Sequence, residues 1–271
     1  MRAYWLAQEG PKQGDGSHVF QPEASFEEAL ALYVFDRKLR LLVMDAIERV
    51  EVSLRTQWAH GLALRYGAHA YLDPALFKSS YLHQRCLAQL QEEVGRSQET
   101  FIEHYRTTYS DPALPPLWAA CEVMSFGQLS KWVGNLKFRA DRQTIASVYN
   151  LDERILVSFL HHLTTVRNLC AHHARLWNRR FTITMQVPRE APHEVLSWFH
   201  PPADRNLYNT LVMLGWFLRT VSPGSSWAKR VTELVQARPQ TQVASMGFPA
   251  DWKRLTLWSA PPSSLPLSPA P

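Results

Sequence analysis

The clearest hydrophobic rhythm in the chain runs through residues 26–60, where Leu39, Val43, Ala46, Ile47, Val50, Leu54 and Trp58 recur at alternating steps of three and four. That period is helical and predicts a long amphipathic helix, with Arg37, Arg40, Glu48, Glu51 and Arg55 on its outer side. A similar pattern over 79–106 uses Leu82, Leu87, Leu90, Val94, Phe101, Ile102 and Tyr105, with Gly95 as its weak point. The stretch 111–116 is proline-rich and rigid, and Pro116 suits the first turn of a helix running to about residue 135. A shorter helix follows near 139–149, and another begins after Asp152. Residues 181–185 alternate and predict a short extended segment. Pro188, Pro192, Pro201 and Pro202 mark a loop, Asp204 can cap a helix to about 221, Pro223-Gly224 breaks it, and 225–237 reads as one more helix. The expectation is an all-α fold, a helical bundle with additional helices. Without a repeat or a long linker, residues 1–258 read as a single helical domain, and the Ser/Pro/Leu-rich residues 259–271 as a disordered tail.

The helix after Asp152 carries the most informative stretch, Arg167-Asn168-Leu169-Cys170-Ala171-His172. On a wheel with Arg167 at zero, Thr164 falls at about 60°, Arg175 at about 80°, Asn168 at about 100°, His161 at about 120° and His172 at about 140°. The opposite arc, about 200° to 340°, gathers Leu169, Ile155, Val166, Trp177, Phe159, Cys170, Leu163 and Leu156. One face therefore packs into a core while the other holds out a guanidinium, a carboxamide and an imidazole. His162 and His173 project toward the apolar side and read as hydrogen-bonded core histidines.

Composition narrows the possibilities. The 271 residues are 46% apolar, enough for a sizeable core, and no apolar run approaches the roughly eighteen residues of a spanning helix. The N-terminus lacks the cationic and apolar regions of a secretory signal, so a cytoplasmic protein without membrane contact is expected. Cys86, Cys121 and Cys170 are an odd number at no metal-ligand spacing and predict reduced, buried thiols, which also makes Cys170 a poor nucleophile. The pairs His161-His162 and His172-His173 suggest a metal, but His161 and His172 stand about 16 Å apart along the axis, too far for one ion. No His-Glu-x-x-His pattern or cysteine quartet is present, and neither a metal nor a cofactor is expected. A net charge of +5 is compatible with a polyanionic partner without demanding one.

These residue types suit phosphodiester chemistry. Cleaving RNA through its own 2′-hydroxyl requires a base for that proton, an acid for the leaving 5′-oxygen and positive charge on the phosphorane. His172 can transfer protons at neutral pH, Arg167 can bind two phosphate oxygens through its fixed fork, and Asn168 can orient the imidazole or hold phosphate. Arg175, Asn178, Arg179 and Arg180 extend a surface able to grip an RNA backbone. One helix supplies a single Arg and His pair, so a homodimer that juxtaposes two copies about a two-fold axis is expected to line the cleft. Glu122 is the only charged residue between Asp111 and Lys131, which makes it a candidate buried supporting acid. A structural ion pair with a cation is favoured for it over catalysis. Glu51 and Arg55 are spaced to pair within their own helix.

The segment 167–179, RNLCAHHARLWNR, resembles the signature of the Abi-like family, the AbiD and AbiF abortive-infection proteins. The blocks 32–40 with 47–51, 118–130 and 246–252 are similar to its N-terminal, central and C-terminal segments, so the resemblance spans nearly the whole chain. It implies a HEPN-type helical fold in which an Arg-x4-6-His motif forms a metal-independent endoribonuclease site across a dimer, as in related domains of type VI CRISPR effectors. On that basis Arg167 and His172 take the catalytic roles with Asn168 in support. The implied biology is phage defence, or a toxin restrained by an RNA or protein antitoxin. Against the family pattern, residues 1–6 fall in the middle of a Tyr-x-x-Tyr-Trp-like stretch, so the domain reads as N-terminally short. Competing readings are a non-catalytic RNA-binding or protein-interaction module on the same scaffold, and a helical partner regulated by a nucleotidyltransferase.

Overall fold

A computed structural model describes residues 2–5, 9–12, 18–20, 24–188 and 192–259. Helix α1 (Arg2–Trp5) and a small antiparallel hairpin, β1 (Glu9–Lys12) with β2 (His18–Phe20), lead into an all-α assembly. Its helices are α2 (Phe26–Tyr66), α3 (Ser80–Arg96), α4 (Thr100–Thr108), α5 (Leu117–Val123), α6 (Phe126–Asn135), α7 (Arg139–Ser147) and α8 (Glu153–Ala171). After a loop come α9 (His193–Trp198), α10 (Leu207–Val221), α11 (Trp227–Gln236), α12 (Gln240–Ala244) and α13 (Thr256–Ser259).

Helix α2 organises the fold. Ser25 caps it by accepting the Glu28 N–H at 3.1 Å, acids fill its first turn, and it ends where Gly67 adopts φ 94°, a conformation natural to glycine. Its 41 residues span about 60 Å. All seven positions predicted for its core stripe are buried. Arg40, expected on the outer side, is buried as well, because Asp36 one turn earlier lies inside and forms an ion pair with it. Helices α5, α7, α8, α10 and α11 pack around α2. Of these, α10 is buried without interruption from Leu207 to Leu218, as befits a helix surrounded by others. One continuous hydrophobic cluster runs from Tyr4 to Trp258.

Several boundaries differ from the pattern-based expectation. The 79–106 run divides into α3 and α4 around Ser97, and Phe101 remains exposed. The helix starting after Pro116 divides at Met124-Ser125, where Ser125 and Gln128 exchange the two bonds of a capping box and start α6 afresh. The apolar run Val123, Met124, Phe126 continues through this break and conceals it. Asn206 rather than Asp204 precedes α10, since residues 201–203 first make a 3-10 turn. Residues 181–185 join no strand; Phe181 N–H donates to the Arg205 carbonyl at 2.8 Å, and Gln186 N–H to Ser158 Oγ at 2.7 Å. Of the tail expected at 259–271, residues 260–271 lie outside the described residues. No described helix is long and apolar enough to cross a membrane.

His162 behaves as a core histidine. Its Nδ1–H donates to the Ile183 carbonyl at 2.7 Å and its Nε2 accepts from Thr210 Oγ1 at 2.8 Å, which holds the 181–186 segment and α10 against α8. Burial holds its pKa below the usual imidazole value, despite the opposing bond to Ile183. The unfolded chain therefore takes up this proton more readily than the folded one. Stability from this group is complete above about pH 6.5 and declines as pH falls below that value. In thermal melts, His162→Gln is expected to lower Tm at pH 7.5 yet to lose less than the parent chain on going to pH 5.5; parallel losses would exclude His162 as the source.

Candidate functional site

Helix α8 is anchored before it presents any chemistry. Asp152 caps its start by accepting the Arg154 N–H at 2.9 Å, and Leu156, Phe159, Leu160, Leu163, Val166 and Cys170 are buried along one side. Its end comes earlier than the sequence suggests. His172 is the C-cap residue, and His173 turns into the left-handed region at φ 55°. The turn is closed by His173 N–H to the Cys170 carbonyl at 3.1 Å and Ala174 N–H to the Leu169 carbonyl at 2.8 Å, the bond pair of a Schellman motif. No glycine marks the position, so the wheel ran on past the true end. As a result His173, expected in the core, is exposed. Trp177 is buried, but through the following turn, with its indole N–H on the Gln242 carbonyl at 3.2 Å.

Arg167 lies half-buried on the outer side of α8, with Asn168 and His172 exposed beside it. The side chains of these three form no hydrogen bond or ion pair with any described residue. The acid partner that would have made Arg167 a structural cation is therefore not among them. In the turn that follows, the Arg175 guanidinium sits 5.9 Å from the Trp177 ring centre, and Arg179 donates to the Arg175 carbonyl at 3.1 Å. Asn178, at φ 48°, and Arg180 are exposed. The site thus gathers cations and amides from the last turn of α8 and the loop after it.

That loop is held by a residue that sequence reasoning missed. Asp36, fully buried on α2, accepts Leu176 N–H at 3.0 Å and Trp177 N–H at 2.6 Å on Oδ1. Its Oδ2 accepts the Tyr4 hydroxyl at 2.7 Å and pairs with Arg40. Burial and the Asp36 carboxylate push the Tyr4 phenol up to about 12, so Tyr4 stays a donor. Cys170 lies against the same pair, its thiol pushed up to about 12 by burial, and is no nucleophile at neutral pH. The available signal was an Asp four residues before an Arg on the same side as Leu32, Phe35 and Leu39; apolar periodicity counts both as outer residues.

Residues 1–178 match the family model described as Abi-like protein. The chain belongs to the Abi-like protein family. The match takes in α8, its cap and both backbone amides that Asp36 holds, and membership supports a role in abortive infection. Compared with curated proteins and with solved structures, the Abi-like chain matches none.

Glu122 is not the buried acid expected. Its carboxylate is 56% exposed and faces Arg55 Nη1 at 3.6 Å, because residue 122 lies at the outer side of α5. The cation partner foreseen for it does exist. Arg55 also pairs with Glu51 at 2.5 Å, as spaced, and donates to the carbonyls of Glu122 and Met124 at 2.8 Å each. In this Abi-like fold the guanidinium of Arg55 thereby covers the open end of α5 and fixes where α6 begins. Helix α6 then comes close to α8: a Cβ on Gly127 would sit 3.3 Å from Thr164 Cγ2, one turn before Arg167. Among the described residues, no group of three or more His, Cys, Asp or Glu side chains is placed to hold a metal.

Asp36→Ala would leave the Arg40 cation and two amides without an acceptor, and is expected to cost about 3–5 kcal/mol in denaturant unfolding. Adding Arg40→Met should recover only part of this, since Leu176 and Trp177 still lack their acceptor; full recovery would mean the amide bonds contribute nothing. His173→Gly relieves a left-handed non-glycine residue and is expected to gain about 0.5–1 kcal/mol net of its unfolded-state entropy, read from the unfolding midpoint.

Proposed function

We propose that this Abi-like protein is a HEPN-type endoribonuclease that cleaves RNA without a metal, at a site made by Arg167, Asn168 and His172 from two copies of the chain. The observation that carries the reading is that the half-buried Arg167 and the exposed Asn168 and His172 stand together at the end of a helix anchored on its other face, with no hydrogen bond or ion pair from their side chains to any described residue. A guanidinium, a carboxamide and an imidazole that no described residue hydrogen-bonds or pairs with are available to a phosphodiester.

In the reaction, an imidazole takes the proton from a ribose 2′-hydroxyl as its oxygen attacks the adjacent phosphorus. The bond to the 5′-oxygen breaks, and an imidazolium returns a proton to that leaving oxygen. The products are a 2′,3′-cyclic phosphate and a 5′-hydroxyl. Arg167 binds two non-bridging oxygens and stabilises the charge of the phosphorane, while Asn168 holds phosphate or orients the ring. Each chain supplies a single Arg167 and His172 pair, His173 beside it being turned away into the left-handed region, and a base and an acid are both required. A homodimer with its α8 ends facing supplies two. Arg175, Asn178 and Arg179 then hold the RNA backbone on either side. The cellular setting that fits is phage defence by RNA destruction, with a protein or RNA antitoxin restraining the enzyme in uninfected cells.

The test is cleavage of end-labelled RNA in EDTA by the purified chain, with oligomeric state measured by light scattering. A dimer is expected, with 2′,3′-cyclic phosphate ends. His172→Ala is expected to slow cleavage by about 10²–10⁴-fold and Arg167→Ala by about 10²–10³-fold, with folding intact and much of the RNA affinity retained. RNA binding without cleavage by any form would instead favour a non-catalytic RNA-binding module.

A further inference from the structure

The outer side of α8 continues from the motif toward the start of the helix, and a groove opens beside it there. Measured from Asn168, the positions of Arg154, Val157, His161 and His172 all fall within an arc of about 60°, so they form one line along the helix. Lys78, Arg142, Glu153, Arg154, His161 and Gln186 line a groove of about 540 Å³ against the first half of this line. A second cavity of about 930 Å³ adjoins it, sharing Arg154 and Gln186 and adding Asp152 and Pro188.

The groove has fixed walls. Gln186 N–H donates to Ser158 Oγ at 2.7 Å, which sets the 181–187 segment along one side. On the other, Lys78 Nζ donates to the Gly134 carbonyl at 3.3 Å, and Arg142 bonds the Leu136 carbonyl. Its carboxylates are already occupied. Glu153 takes Arg142 Nε at 2.5 Å, and Asp152 takes Arg139 at 3.1 Å and Arg154 at 3.1 Å. What faces solvent is mainly cationic: the ammonium of Lys78 and the guanidinium groups of Arg139 and Arg154, exposed by 68% and 74%, with the ring of His161 beside them as a hydrogen-bonding group. At the start of α7, Phe138 stands 42% exposed between Lys137 and Arg139. Phe138 lines neither cavity, but it directly precedes Arg139, whose guanidinium pairs with Asp152 there, and Lys137 Nζ lies 5.6 Å from its ring centre; cations with an exposed aromatic ring nearby are what single-stranded nucleic acid uses, phosphates along the charges and a base on the ring.

We propose that this groove is a single-stranded RNA subsite that holds the strand at a distance from the bond being cleaved. Lys78, Arg154 and His161 contact its phosphates, and Phe138 offers a face for stacking. The proposal rests on the ribonuclease reading for the position of that bond. Along the axis, His161 stands about 9 Å and Arg154 about 20 Å from Arg167, so only a strand of several nucleotides engages both the motif and the groove.

The experiment measures binding of fluorescein-labelled single-stranded RNAs of graded length to the full chain carrying His172→Ala, by anisotropy across a salt series, beside cleavage by the chain with His172 intact. Affinity is expected to rise with strand length. Adding Lys78→Ala, Arg154→Ala and His161→Ala should weaken the longest strand at least tenfold, spare the shortest, and make the salt slope shallower by about 1.4 for the two cations removed. His161→Glu alone, at an exposed position whose side chain makes no hydrogen bond or ion pair with a described residue, should produce a loss in the same direction if the triple variant folds poorly. Length-independent affinity, or equal binding by all groove variants while cleavage still depends on His172, overturns the subsite and leaves the ribonuclease reading standing. A length-dependent loss in groove variants with no cleavage by any form supports the subsite and overturns the ribonuclease reading. Absence of RNA binding by every form overturns both.

Discussion

The buried carboxylate of Asp36 is the constraint on which the site depends. A charge in a hydrophobic interior is tolerated only when its oxygens are filled, and Asp36 fills both with Arg40, the Tyr4 hydroxyl and the amides of Leu176 and Trp177. Those partners come from three separate parts of the chain, so the cost of burying the charge is offset only when all three are in place. The arrangement converts one unfavourable group into a geometric requirement. The loop after α8 must return to α2 within a few residues of His172, and this fixes the direction in which the last turn of α8 faces.

Two further restraints act on the same helix end from other sides. The left-handed turn at His173 closes the carbonyls of Leu169 and Cys170 and stops the helix at a defined residue. Close approach of α6 at Gly127 fixes the turn before Arg167, and α6 is itself placed by its capping box and by Arg55 on the end of α5. Arg55 and Asp36 lie on the same long helix, α2, which thus governs both the flank and the end of α8. One helix of 41 residues carries both sets of contacts, so the motif is presented on a backbone with little freedom to drift.

What the sequence made legible follows from where its information is local. The core stripe of α2, the burial of His162 and of the three thiols, the start of α8 after Asp152 and the Glu51 to Arg55 pair each depend on residues within a few positions of one another or on plain hydrophobicity. The failures share a different cause. Arg40 was assigned outward because its burial depends on Asp36, and that of Asp36 on amides 140 residues away. His173 was assigned inward because a helix extrapolated by periodicity has no end, and a left-handed histidine carries no glycine to announce one. Glu122 was drawn inward by its apolar neighbours, although only the outer side of α5 was open to it. Of the candidate site, the grouping of Arg167, Asn168 and His172 on one exposed face was legible; the hold on their backbone was not.

The distribution of contacts separates fold from chemistry in this molecule. The buried polar side chains of His162, Asn209 and Asp36 are each engaged by two or more partners, as burial demands. Arg167, Asn168 and His172 are engaged by no described residue. Asn168 and His172 are solvated, Arg167 is half-buried, and the end of α8 is closed by a backbone turn to which the His172 side chain contributes nothing. Packing therefore accounts for Leu163, Val166 and Cys170 in this helix, and capping accounts for Asp152, but neither accounts for an arginine, a carboxamide and an imidazole gathered at its outer end. Three side chains without a hydrogen-bond or ion-pair partner among the described residues, set on a backbone that the fold restrains from several directions, are what the proposed role in RNA cleavage calls for.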